Sequence, residues 1–171
     1  MRISFFTTGG TIDNYYPQGS RIRGMIIGPT TIHQILACGR MPYDPNRDVR
    51  ALMQKDSLDM TDPDRKCIAA ACVDKAHHEK ILITHGTDTM IESAEVVEEF
   101  RVVHAPRRTV VFTGAMLPLC VVGTDAYFNI GLAIGVLRSE VTPGTYIAMN
   151  GQLFVWNDCV KHPSGVFTRK N

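Results

Sequence analysis

No run of about 18 apolar residues occurs in this sequence, which argues against a membrane-spanning helix. No C-x-x-C pair occurs either. The five cysteines, Cys38, Cys67, Cys72, Cys120 and Cys159, are odd in number and scattered. Neither a zinc site nor a disulfide framework is expected from them, and reduced thiols in a cytoplasmic protein fit best. An excess of one charge is also missing: 18 Lys and Arg stand against 17 Asp and Glu, for a net charge of +1, with no basic cluster. That removes the electrostatic reason to expect a nucleic-acid or anionic-membrane partner. The G-x-G-x-x-G and G-K-[ST] phosphate-loop patterns are absent. No repeat, low-complexity block or linker is seen. Arg2 is followed by apolar residues, but Ser4 breaks the run and residues 7–11 are polar. A first strand is expected there rather than a signal peptide.

What remains is ordinary globular composition, with 44% hydrophobic and 20% charged residues in 171. One domain over residues 1–171 is the simplest expectation, and it is long enough to bury a core. Strand-like runs fall at 2–7, 49–55, 80–83, 109–113 and 145–149. Helical patterns lie between them. Thr30 or Thr31 caps one through Cys38, and Thr61 with Asp64 opens a second, with Cys67, Ile68, Ala71 and Cys72 as its buried face and His77 and His78 at its end. A third runs from Thr89 to about Glu99, its glutamates expected to face solvent. A fourth covers 126–138, with Asp125 as its cap. Strands alternating with helices imply an α/β class with a mainly parallel sheet. Residues 12–29 are long for a loop, of the kind that is either a functional lid or disordered.

Two stretches stand out. Residues 81–90 read I-L-I-T-H-G-T-D-T-M, an apolar strand passing into a polar turn without a spacer. Residues 3–11 repeat that shape, ending T-T-G-G-T. Together with Ser57, Asp59, Gly114, Ala115 and Asn150 they put five polar turns after strand carboxyl ends, where open α/β sheets bind ligands. Gly9 and Gly10 permit a sharp turn and close backbone approach to a ligand. Thr11, Thr87 and Asp88 are candidates for a nucleophile, a relay hydroxyl and an orienting anion. The base is left open between His85 and a lysine. Taken singly, T-G-G-T could be only a Gly-rich phosphate turn, though without those phosphate-loop patterns, and Thr87 only a helix cap.

T-T-G-G-T-I-D (residues 7–13) and I-T-H-G-T-D-T-M (residues 83–90) resemble the two signature motifs of the bacterial-type L-asparaginase/glutaminase family. K-D-S-L-D-M-T (55–61), F-T-G-A-M (112–116), G-T-D-A-Y-F-N (123–129) and A-M-N (148–150) followed by Lys161 extend the resemblance over most of the chain. It implies an α/β three-layer fold: a mainly parallel sheet of about five strands, helices on both faces, flavodoxin-like, as in the asparaginase N-terminal domain. It implies hydrolysis of the L-asparagine side-chain amide to aspartate and ammonia, with weaker glutaminase activity, no metal or organic cofactor, and a homo-oligomer (dimer or tetramer). By position, Thr11 would be the nucleophile, and Thr87, Asp88 and Lys161 the second hydroxyl–acid–base group. Tyr15 and Tyr16 are the candidates for the lid tyrosine. Ser57 would hold the substrate carboxylate and Asp88 its ammonium, with Gly10, Gly86 and Ala115 completing the substrate-binding turns.

The family's usual chain is about twice as long, through a C-terminal domain that supplies a partner acid. A short form or a fragment is therefore expected, with weaker substrate binding. Leu58 stands beside Ser57 where some members are polar, which bears on asparagine against glutamine. Two other classes remain open. One is a non-catalytic asparagine/aspartate-binding domain. The other is a subunit similar to the amidotransferase relatives that act on aminoacyl-tRNA, ranked last without a basic patch. The apolar run 153–156 is read equally as an interface or as a last strand.

Overall fold

The computed structural model describes residues 2–19 and 24–170. In chain order the strands are β1 (Ser4–Gly9), β2 (Asn14–Tyr15), β3 (Ile26–Ile27), β4 (Val49–Lys55), β5 (Lys80–Thr84), β6 (Thr109–Thr113), β7 (Gly144–Met149), β8 (Gln152–Val155), β9 (Cys159–Lys161) and β10 (Phe167–Arg169). The helices are α1 (Ile32–Cys38), α2 (Asp62–Val73), α3 (Met90–His104) and α4 (Ala126–Arg138).

Side-chain alternation builds the layers. Along β1, Phe5 faces one cluster and Phe6 the other; along β5, Ile81 and Ile83 oppose Leu82; along β6, Val110 and Phe112 oppose Val111. A strand with both faces apolar must be covered on both sides. Helices α2 and α3 cover one face through Ile68, Ala69, Cys72, Met90, Ala94 and Val97. Helices α1 and α4 cover the other through Ile32, Leu36, Ala126, Ile130, Ala133 and Leu137. The result is the three-layer α/β arrangement.

The main sheet has six strands in the order β4-β1-β5-β6-β7-β8. The first five are mutually parallel and β8 is antiparallel to β7. The five parallel strands follow the flavodoxin order, which reverses direction between β1 and β5. The carboxyl ends of those two strands, Thr7–Gly9 and Thr84, therefore flank the switch point.

Several local expectations change. The sheet gains β8, so the run 153–156 supplies an edge strand, with Phe154 buried. The tail beyond it forms the two-stranded β9–β10 hairpin. Cys67 is exposed while Ala69 is buried, so the buried stripe of α2 is 68, 69, 71 and 72. Helix α2 ends at Val73, short of His77 and His78. His78 instead meets Asp48 at 3.0 Å, and the His77 ring packs edge-on against Phe6. Helix α3 runs five residues past the expected end. Its last turns are held by Arg101, buried against Glu98 (2.6 Å), which also accepts a hydrogen bond from Thr145 (2.8 Å). Glu98 is thus not on a solvent face. Within the segment 12–29, residues 11–13 form a 3-10 turn and β2 pairs with β3, while residues 20–23 lie outside the described residues.

Candidate active site

Glycines pull the strand-end turns together. Gly9 and Gly10 have φ of 92° and 85°, a backbone region that favours glycine. A Cβ on Gly10 would stand 2.5 Å from the Gly86 nitrogen, and one on Gly86 would stand 2.6 Å from Ser57 Oγ. A Cβ on Gly114 would strike the His85 carbonyl oxygen. The turns after β1, β4, β5 and β6 are therefore in backbone contact, closer than any side chain would allow. Because Gly10 precedes Thr11 and Gly86 precedes Thr87, this contact brings both threonine positions to one rim.

Thr11 opens the 3-10 turn Thr11–Asp13 and is half-buried. Buried Asp13 anchors that turn by accepting hydrogen bonds from Thr31 N (2.7 Å) and Thr31 Oγ1 (2.8 Å). Burial raises its carboxyl above the usual range, against the lowering effect of the Thr31 bonds. Ser57 begins another 3-10 turn, is 1% exposed, and lies with its Oγ against Gly86. Thr89 Oγ1 donates to the Ser57 carbonyl at 2.6 Å, tying this turn to the start of α3. The Lys55–Asp64 ion pair (2.8 Å) braces the other side, and Lys55 is the main cause of an Asp64 carboxyl lowered to about 2.

The polar centre is Lys161. Its Nζ donates to Thr87 Oγ1 at 2.8 Å and to Asp88 Oδ1 at 2.5 Å. The Thr87 hydroxyl donates in turn to Met116 Sδ at 3.6 Å. Thr87 is buried and Lys161 nearly so, while the Asp88 side chain is 48% exposed. A hydroxyl, an amine and a carboxylate thus touch at the switch point, on residues 74 positions apart in sequence.

His85 lies elsewhere. It is fully buried, with Nδ1 2.7 Å from the Gly86 carbonyl and its ring edge-on to Phe112. Burial pushes it down to about 4, so near neutral pH it is uncharged, with Nδ1–H donating to Gly86. Its Nε2 has no partner among the described residues. Of the two bases that the sequence left open, the lysine is the one in contact with a hydroxyl.

A sequence model of the asparaginase N-terminal domain matches residues 2–168. The chain belongs to the asparaginase family. It is 28% identical over 159 residues to an L-asparaginase of Bacillus licheniformis, covering 90% of this chain and 47% of that protein. It is 30% identical over 109 residues to a human 60 kDa lysophospholipase, covering 62% of this chain and 18% of that one. The thermostable L-asparaginase from Thermococcus kodakarensis superposes with a TM-score of 0.77 at 24% identity, over 99% of this chain and 51% of that chain. The chain thus spans about half the length of these L-asparaginases.

The asparaginase-like motifs are now located. Thr87, Asp88 and Lys161 meet, and Gly10, Gly86, Ser57 and Thr11 lie along the same packed turns. Ala115 follows Gly114 and is buried in the core beneath the β6 turn. Neither tyrosine is tied to the lysine group. Tyr15 rests its ring on Gly28, where a Cβ would stand 2.6 Å away, and Tyr16 is 66% exposed. Among the described residues no group of three or more His, Cys, Asp or Glu could hold a metal ion, and no helix is long and apolar enough to cross a membrane.

Two contributors, Met116 and Asn129, were not singled out in sequence, and two more, Asp125 and Asn150, were read only as a helix cap and a strand-end turn. Met116 receives the Thr87 hydroxyl. Asp125 has no side-chain cap bond; its carboxylate accepts Met116 N and Leu117 N, each at 3.0 Å. Asn129 is fully buried and Asn150 half-buried between them and the hairpin. A polar residue on the apolar face of α4 was the available signal for Asn129.

Proposed function

We propose that the chain is an L-asparaginase acting through a threonine nucleophile, with residues 1–171 as one catalytic domain. The observation that carries this reading is the contact of Lys161 Nζ with both Thr87 Oγ1 and Asp88 Oδ1. Thr11 Oγ attacks the side-chain amide carbonyl of asparagine. The Thr87–Lys161 pair takes the hydroxyl proton and returns one to the departing nitrogen, which leaves as ammonia. Water then attacks the acyl ester, giving aspartate and restoring the Thr11 hydroxyl. Backbone N–H groups of the turns that carry Thr11 and Thr87 take the oxyanion, the Gly10 N–H itself being already donated to the Lys55 carbonyl (3.0 Å). The free oxygen of Asp88 takes the substrate ammonium, and Ser57 its carboxylate. Glutamine, one methylene longer, is the weaker substrate.

The test is ammonia release from L-asparagine and L-glutamine by the chain and by Thr11→Val. Release from asparagine that falls by at least about 1,000-fold in the variant supports the reading. Release that survives moves the nucleophile to Thr87. Asparagine binding with no release from either protein converts the reading to a binding domain.

A further inference from the structure

We infer that Asn129 and Asn150 are positioning residues that set Lys161 against Thr87. The inference rests on the proposed reaction only for its kinetic consequence. Lys161 stands at the end of β9, a three-residue strand that among the described residues pairs with β10 alone, outside the main sheet. An isolated two-stranded hairpin is marginal in water, so its orientation must come from docking. Phe167, directly across from Lys161 in the hairpin, is buried in the core and supplies apolar hold. Apolar contact is not directional. Direction comes from Phe167 N, which donates to Asn150 Oδ1 at 2.8 Å.

Asn150 is itself fixed. With Gly151 it forms the two-residue turn between β7 and β8, at φ of 52° and 77°. Positive φ at both positions of an Asn-Gly loop is the common hairpin turn, so Asn150 sits there without strain. Its backbone N donates to Asn129 Oδ1 at 3.2 Å. Asn129 Nδ2 donates to the Gly114 carbonyl (3.0 Å) and to Asp125 Oδ2 (2.8 Å). Asp125 accepts from Met116 N, and Met116 Sδ accepts the Thr87 hydroxyl. Gly165, in the hairpin turn, closes a second route: a Cβ there would stand 2.5 Å from the Met116 methyl. The path from Lys161 through the hairpin, Asn150, Asn129, Asp125 and Met116 therefore returns to Thr87. Both partners of the 2.8 Å contact are referenced to one buried asparagine.

The experiment compares Asn150→Gly with Asn150→Asp in the full chain. Glycine keeps the turn and deletes the acceptor; aspartate keeps an acceptor oxygen. Two readouts are taken: kcat and KM for ammonia release from L-asparagine, and the rate at which an amine-acylating reagent labels Lys161, followed by mass spectrometry. In Asn150→Gly, kcat is expected to fall on the order of 100-fold, since displacement by about 1 Å has that cost, with KM within roughly threefold. Lys161 labelling is expected to rise on the order of tenfold as the hairpin undocks. Asn150→Asp is expected to restore both. Unchanged labelling in Asn150→Gly, or equal loss in both variants, overturns the inference. If the wild-type chain releases no ammonia, the proposed reaction falls while Lys161 labelling still decides the positioning role.

Discussion

Thr11 and Thr87 leave strands inside a six-stranded sheet, whereas Lys161 leaves a hairpin of two short strands outside it. The threonine half is assembled by backbone touching backbone, through Gly9, Gly10, Gly86 and Gly114. The lysine half is assembled by side-chain amides bonding to backbone, through Asn150 and Asn129. The first kind of assembly has no slack, because protein interiors are close-packed and main chain does not yield cheaply. The second can be weakened a bond at a time. The chemistry divides in the same way: the groups proposed to bind and attack are set rigidly, and the proposed base is held by a tether that can be adjusted.

The largest expected effect follows from that difference. Gly10→Ala adds a Cβ 2.5 Å from the Gly86 nitrogen at a φ of 85°, so steric overlap and backbone strain combine. We expect a loss of about 3 kcal/mol or more by urea unfolding. Gly165→Ala in the hairpin has a similar φ of 86° and an equally close neighbour at 2.5 Å, but that neighbour is the movable methyl of Met116. Its expected cost is about 1–2 kcal/mol, the left-handed backbone contribution alone. Equal costs would erase the distinction between the two halves.

The same distinction explains what could be read from the sequence. Strand β6 and helix α4 match the sequence patterns residue for residue, because a buried apolar run or a helical stripe is a local signal. The glycine turns were legible too, since a polar turn after an apolar strand is contiguous in sequence. The hairpin was not. Strands β9 and β10 have three residues each and mixed polarity, and they owe their existence to pairing and to Phe167 reaching the core. Lys161 came from family resemblance alone, and nothing within its own segment marks it. Asn129 was visible only as a letter in a motif and Asn150 only as a polar strand-end turn, because the bonds that give them their place run to segments 15 to 21 residues away. The phase of α2 slipped for a related reason: alanine and cysteine are both small, and only packing decides which of Cys67 and Ala69 turns inward.

Acid should separate the two halves further. His85 lies buried in the turn half, lowered to about 4 from its ordinary 6.5, with burial as the main cause. In the unfolded chain it binds a proton below pH 6.5, and in the folded chain it does so only near pH 4. The His85 contribution to stability is therefore constant above pH 6.5, falls as pH drops through this window, and levels off below it, with a loss on the order of 3 kcal/mol from this group. His85→Gln should reduce the slope of the stability profile between pH 6.5 and 4, leaving the smaller share of the His77 ring, which burial also lowers. Hydrogen exchange at pH 5 should show the β5 turn opening more readily in the wild type than in the variant. A wild-type profile with no slope in this window would mean that His85 is not sealed from solvent, and the turn half would be looser than its glycine contacts indicate.

The smallest effect tests the tether from the other side. Arg169 on β10 meets Asp158 at 3.3 Å, with side chains 69% and 43% exposed. An exposed pair gains little because water screens it and two flexible side chains must be ordered, so Asp158→Asn should cost under about 0.5 kcal/mol. It should also leave the ammonia-release kcat and Lys161 labelling at wild-type values. The half-buried Asn150 acceptor, with Phe167 in the core, would then be what holds the hairpin in register. If Asp158→Asn moved Lys161 as far as Asn150→Gly does, the hairpin would be held by its surface charges rather than by the asparagines. The lysine half would then respond to salt, which a tether of uncharged amide hydrogen bonds does not.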